Sequence, residues 1–236
     1  MSCRNGFGKL IIAGALAVIG LALGSPTTGR AADGIYPAAT TAVILVDPYN
    51  DFISEGGKIW ERIKLVAEEV NLVANLRKLA DSARAKGVRV VYAPHRRWRE
   101  GDFETWKFPH PVHQAVTKYQ VFADGTWGGE FHPDLAPQKG DAVADEHWLS
   151  SGFANTDLDY QLRKHGIDHV IVVGLATNTC VESTGRYAVE MGYHTTFLKD
   201  AVATFSHAEQ EAAIELDYPR IAHAVTTVDE FLAAIE

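Results

Sequence analysis

The stretch Val170-Ile171-Val172-Val173-Gly174-Leu175-Ala176-Thr177-Asn178-Thr179-Cys180-Val181-Glu182-Ser183-Thr184 passes from an unbroken apolar run, through a glycine and small polar residues, into a helical pattern. Apolar and β-branched residues without polar alternation read as a strand buried on both faces. Gly174 ends it, and the Thr/Asn residues cap the helix that follows. This reading places Cys180 in the first turn of that helix, where unpaired N–H groups and the positive end of the dipole favour a thiolate over a thiol. An inert cysteine packed as a small hydrophobe is the competing reading.

Working outward, similar strand-like runs recur at Ala42–Val46, Val88–Ala93, Ala142–Ala144, His194–Leu198 and Ala224–Thr226. Most are separated by helical patterns. The longest runs from Lys58 to Lys86, where Ile59, Ile63, Val66, Val70, Val73, Leu76, Leu79 and Ala83 recur at spacings of three and four and Gly87 supplies a stop. Shorter helices are expected at Asp157–His165, Val181–Met191, His207–Leu216 and Val228–Ile235. Alternation of buried strands with helices predicts an α/β domain, a parallel sheet covered on both faces.

The first 32 residues stand apart. Arg4 and Lys9 precede an apolar stretch, Leu10–Gly24, and a small-residue segment, Ser25–Ala32, which is the layout of a secretory signal peptide. The domain proper is then 33–236, and the location is periplasmic or secreted, with no membrane association after cleavage. Losing Arg4, Lys9 and Arg30 leaves 19 basic against 30 acidic residues and moves the formal charge from −8 to −11. So acidic a protein is no candidate for nucleic acid. Cys3 leaves with the same segment, so Cys180 has no internal disulfide partner and points to chemistry rather than stapling.

In an open parallel sheet, chemistry gathers beyond the C-terminal ends of the strands. The first strand closes with Val46-Asp47-Pro48-Tyr49-Asn50-Asp51-Phe52. A carboxylate directly after four aliphatics is costly to bury unpaired, so Asp47 either caps a loop or serves as a base. Tyr49 stands where an aspartate-nucleophile phosphatase would carry its second Asp, against that chemistry. The long stretch Pro94–Gly140, rich in Trp, Phe and His, reads as a lid or binding segment, or equally as an oligomer interface.

These features together resemble the isochorismatase-like cysteine hydrolases, a family that includes nicotinamidases, ureidoacrylate and biuret amidohydrolases and N-carbamoylsarcosine amidohydrolase. The resemblance covers Thr41 to Ala201. It rests on Val46–Phe52, Gly125-Thr126-Trp127-Gly128-Gly129-Glu130, Ser151-Gly152-Phe153-Ala154-Asn155-Thr156-Asp157-Leu158-Asp159, and Gly174–Thr184 with Arg186. It implies a three-layer αβα fold whose six-stranded parallel sheet has the order 3-2-1-4-5-6. It also implies Cys180 as the nucleophile, Asp47 as the general base, and a cis peptide at Leu175–Ala176 that turns the Ala176 N–H, with that of Cys180, toward a shared oxyanion hole.

Two departures from the family pattern stand out. The family's catalytic lysine falls on His147, whose imidazolium would supply the same positive charge beside Asp47. Glu146 facing the site, or loss of catalysis, are the alternatives. Nicotinamidases hold a divalent ion through an Asp-x-His pair after the second strand. Ala93-Pro94-His95-Arg96-Arg97-Trp98-Arg99 lacks that spacing, so no metal and no cofactor is expected.

Phe52, Trp127 and Trp148 are expected to line the substrate pocket, and Arg96, Arg97 and Arg99 offer a fork for a substrate carboxylate or a merely solvated cluster. Gly128 and Gly129 read as a turn with positive φ. The resulting expectation is an exported hydrolase of a small-molecule amide or ureide, associating as a homo-oligomer. A non-catalytic small-molecule-binding protein on the same scaffold is the alternative.

Overall fold

The computed structural model describes residues 36–236, and the signal-peptide reading, with Cys3, falls on residues outside the described ones. No helix among the described residues is long and apolar enough to cross a membrane. Six strands form one sheet: β1 Thr41–Val46, β2 Arg89–Ala93, β3 Ala142–Val143, β4 His169–Leu175, β5 His194–Ala203 and β6 Ala224–Thr226. Their order is β3-β2-β1-β4-β5-β6, and every neighbouring pair is parallel. The order expected from the resemblance is the one found, and it seats β1 directly beside β4, with Val46 opposite Gly174.

The central strands are apolar because both of their faces are covered. All six residues of β1 are buried, as are the last six of β4. Val43, Leu45, Ile171 and Val173 face one layer, where α2 (Trp60–Glu69), α3 (Leu72–Ala85) and α9 (Val228–Ala233) pack through Ile63, Leu76, Leu79 and Phe231. Ile44, Val46, Val170 and Val172 face the other with α5 (Leu158–Arg163), α6 (Glu182–Glu190) and α8 (Tyr218–Ile221). Each such aliphatic side chain contributes about 1.5–3 kcal/mol by leaving water, which is what holds β1 at the centre.

The helix expected over Lys58–Lys86 is two helices. The chain breaks between α2 and α3 at Asn71, which adopts φ 50 and ψ 43. The apolar stripe crosses the break without interruption, so periodicity could not reveal it. Asparagine tolerates the left-handed conformation better than the residues around it, and that local preference decides the turn. The remaining α-helices among the described residues are α1 (Asn50–Ile53), α4 (Pro111–Tyr119) and α7 (His207–Ala212). Within the long Pro94–Gly140 stretch, α4 begins at a proline and is capped by His110, whose Nδ1 accepts from Val112 N–H at 3.2 Å.

Candidate active site

Three strand ends on one side of the sheet each deliver one group to the same place. After β1 the backbone turns sharply at Asp47, with φ 53, and its carboxylate points into the interior with no exposed surface. His147 is held by an extension of the β2 edge: its N–H donates to Pro94 O at 2.9 Å and its carbonyl accepts from Arg96 N–H at 2.8 Å. From there Nε2 reaches Asp47 Oδ1 at 3.0 Å, the imidazole being fully buried as well. The Cys180 Sγ completes the cluster, with ligating atoms of all three residues within 4.8 Å of one another. The neighbouring Glu146 turns the other way, onto Arg97 at 2.7 Å and Arg96 at 3.4 Å, so His147 is the residue that meets Asp47.

The turn carrying Cys180 depends on Gly174. Its φ is 113, and a side chain there would meet the Val46 carbonyl oxygen at 2.2 Å, so β1 and β4 approach this closely only with glycine. The Leu175–Ala176 peptide is cis, as the resemblance implied. Cys180 sits in a wide π-type turn, Thr177–Val181, just ahead of α6 rather than in that helix's first turn. The turn is pinned from outside: Thr177 Oγ1 donates to Gln210 Oε1 at 2.6 Å, Tyr218 donates to Thr177 O at 2.9 Å, and Thr204 donates to Asn178 Oδ1 at 2.7 Å. Asn178 and Glu182, the latter paired with Arg186, support the turn and α6.

The electrostatics overturn the expectation of a resting thiolate. Burial pushes the Cys180 thiol well above its ordinary range, and the charge of Asp47 pushes further in the same direction. The Thr179 hydroxyl and the Ala176 backbone pull only part of the way back. A carboxylate beside a thiol in a dry site outweighs the partial charges of one turn. Sγ also lies 3.7 Å from the Leu149 carbonyl and 3.9 Å from the Thr179 hydroxyl.

Beside this cluster lies a cavity of about 590 Å³, walled by Phe52, Phe122, Val116, Leu149, Ala176 and Cys180 among others. Phe52 takes the expected place, but the two tryptophans do not. Trp127 is half-exposed and offers its carbonyl to Asn50 Nδ2 at 2.8 Å. Trp148 packs under Arg96 at 4.7 Å and against Trp106, away from the cavity wall. The arginines are likewise occupied, Arg96 by Asp102 at 3.0 Å and Arg99 by Asp124 at 2.8 Å, so this trio presents no open fork. Gly128 and Gly129 do not need positive φ. They let the backbone lie against the Asp51 carboxylate and the Ala123 carbonyl, where a Cβ would come within 2.4 and 2.5 Å.

His95 joins the site although nothing in its sequence context marked it for that place. It is buried, lines the cavity, and sets its ring edge-on to His147 at 5.2 Å between centroids. Burial, with His147 nearby, lowers its pKa to about 4, so it is neutral. Its place two residues past the end of β2 fits the rule that strand ends gather functional groups, a signal that does not single out one residue.

Comparison with known proteins places the fold in a family. The model of the isochorismatase domain matches residues 41–229. A ureidoacrylate amidohydrolase, RutB, of Rhizobium rhizogenes is 32% identical over 206 residues, covering 83% of this chain and 83% of the relative. Among solved structures, a cysteine hydrolase from Pseudomonas syringae superposes with a TM-score of 0.70 at 30% identity, covering 84% of this chain and 92% of the other. The N-carbamoylsarcosine amidase from Thermoplasma acidophilum gives 0.62 at 26%, covering 80% and 97%. With the family model spanning residues 41–229 and a relative 32% identical across 83% of the chain, the chain belongs to the isochorismatase family.

Proposed function

We propose that this protein is a cysteine-dependent hydrolase of a carbon–nitrogen bond in a small amide or ureide. The carrying observation is the buried convergence of Cys180 Sγ, the Asp47 carboxylate and the His147 imidazole at the wall of an apolar cavity. Relatives named as a ureidoacrylate amidohydrolase and an N-carbamoylsarcosine amidase support that bond class.

The chemistry follows from the resting protonation. Sγ attacks the carbonyl as its proton passes to Asp47, so the thiolate exists only while it is being consumed. Asp47 then gives the proton to the leaving nitrogen, ammonia or an amine departs, and a thioester remains. Water, deprotonated by Asp47, attacks the thioester and releases the acid and the thiol. His147 orients the carboxylate through the 3.0 Å hydrogen bond. The N–H groups of Ala176 and Cys180 receive the developing oxyanion, donors of a kind worth about 3 kcal/mol each.

The apolar run Leu10–Gly24 behind Arg4 and Lys9 supports export to the periplasm or medium. The exposed Trp106 and Phe108 support homo-oligomer formation through the 106–119 segment, whose Val112, Val116 and Tyr119 wall the cavity. The decisive test is a screen of small amides and ureides for ammonia or amine release, with intact-mass detection of an acyl adduct on Cys180. Turnover with an adduct that Cys180→Ala lacks supports the reading. A protein that binds such compounds without adduct or release is instead a binding protein.

A further inference from the structure

We propose that Asp47, His147 and Cys180 form a zinc-binding site, through which zinc reversibly shuts off the hydrolase. Among the described residues they are the one set of three His, Cys, Asp or Glu side chains whose donor atoms converge within 4.8 Å. The set exists because a histidine stands at position 147. A lysine there would carry a proton in place of a lone pair.

The donors suit one class of ion. One thiolate, one imidazole and one carboxylate match the ligands zinc takes at catalytic-type sites with an open fourth position, whereas magnesium and calcium prefer oxygen alone. Bonds of about 2.0–2.3 Å to a tetrahedral ion put ligand atoms roughly 3.3–3.6 Å apart. Asp47 Oδ1 and His147 Nε2 already stand 3.0 Å apart, and contraction by about 1 Å of the widest separation completes the set.

A second observation points the same way. The Asp47 carboxylate is buried, and its Oδ2 has no hydrogen-bond partner among the described residues. A buried carboxylate with an oxygen left unpartnered is costly, and a cation bound to the carboxylate offsets that cost. The binding step balances as follows. Zinc takes the lone pair of Nε2, whose proton moves to the unpartnered Nδ1. The thiol proton leaves to solvent, and Sγ and Asp47 each contribute one negative charge, so the buried cluster becomes neutral overall. Cys180 lines the cavity, which gives the ion its path and the fourth position its water. With its lone pair held by zinc, Sγ no longer attacks a carbonyl.

Binding rests on the geometry alone, and only its consequence, inhibition, rests on the proposed function. The purified protein is titrated with zinc against a chromophoric chelator, and with cobalt to read the thiolate-to-metal charge-transfer band. The expected result is one ion per chain bound more tightly than about 10 μM, or roughly −7 kcal/mol. Affinity should rise about tenfold per pH unit from the displaced thiol proton. Zinc should protect Cys180 of the unaltered protein from alkylation, a readout that needs no variant. Cys180→Ser and His147→Gln, checked for folding by circular dichroism, should each weaken binding at least about tenfold. Weaker binding in the unaltered protein, or tight binding that both variants keep, overturns the site. Zinc binding without amide turnover would sink the hydrolase and leave the site standing, and turnover without zinc binding would do the reverse.

Discussion

Cys180 keeps its proton at rest because burial and the Asp47 charge both oppose the thiolate. Two outcomes at this residue separate that account from a permanently ionised nucleophile. Alkylation of Cys180 should titrate above the ordinary thiol range near 8.5, and in Asp47→Asn it should titrate lower, since the repelling charge is gone. The same Asp47→Asn should lose roughly 10²-fold or more in turnover, because the proton acceptor is gone too. Faster alkylation with slower hydrolysis is the signature, read by iodoacetamide kinetics beside ammonia release. His147→Gln, which keeps a hydrogen-bond donor but not the imidazole that orients Asp47, should lower kcat about 10²-fold with little change in KM. These three residues were legible in the chain because two end apolar strands and the third falls at a fixed offset in a motif. Trp127 and Trp148 were misread because proximity in sequence to a motif does not set the direction of a side chain. Trp148 is drawn off by Arg96 and Trp106, contacts made 40 residues and more away in the chain.

At the scale of elements, two turns carry the site and its frame. Gly174→Ala would place a methyl against the Val46 carbonyl and force a positive φ, and it should cost at least about 2 kcal/mol and much of the activity, because β1 and β4 are pushed apart where Asp47 and Cys180 meet. Chemical denaturation with an activity assay tests both halves. Asn71→Val, at the hinge between α2 and α3, should cost about 1–2 kcal/mol without touching the chemistry, and Asn71→Gly should be nearly neutral. A common loss in both would mean that the asparagine side chain, rather than its backbone, matters. The α2–α3 break shows why helix ends escape pattern reading: hydrophobic spacing reports which face is buried, while a single residue's φ decides where the axis turns.

For the molecule as a whole, acid is the expected weakness. His95 is neutral in the folded chain, with its pKa lowered to about 4 by burial and by His147, and His194 moves in the same direction through burial beside His169 and His223. The unfolded chain, with histidines near 6.5, binds more protons between those values. Stability is therefore whole above about pH 6.5 and declines as pH falls toward 4. The buried His95 alone accounts for about 3 kcal/mol, and the half-exposed His194 for less. Melting temperatures across this range test it, and a shallower profile in His95→Gln would assign the larger share to that residue. Association belongs to this scale too: Phe108→Glu, at a residue 81% exposed, should shift the protein toward the monomer by light scattering if the 106–119 segment joins copies.

The sequence by itself determined the strands, the parallel α/β layering and the positions of Asp47 and Cys180 at strand ends, since burial on both faces leaves unbroken apolar runs that need no partner to be recognised. The place of His147 came from a motif offset. Only the tertiary structure decided that His147 meets Asp47 while Glu146 turns to the arginines, that His95 joins the site, that the tryptophans stay out of the cavity, and that Cys180 rests as a thiol. Each of these depends on how distant segments share one low-dielectric space, where charge, desolvation and side-chain direction are set by neighbours far away along the chain.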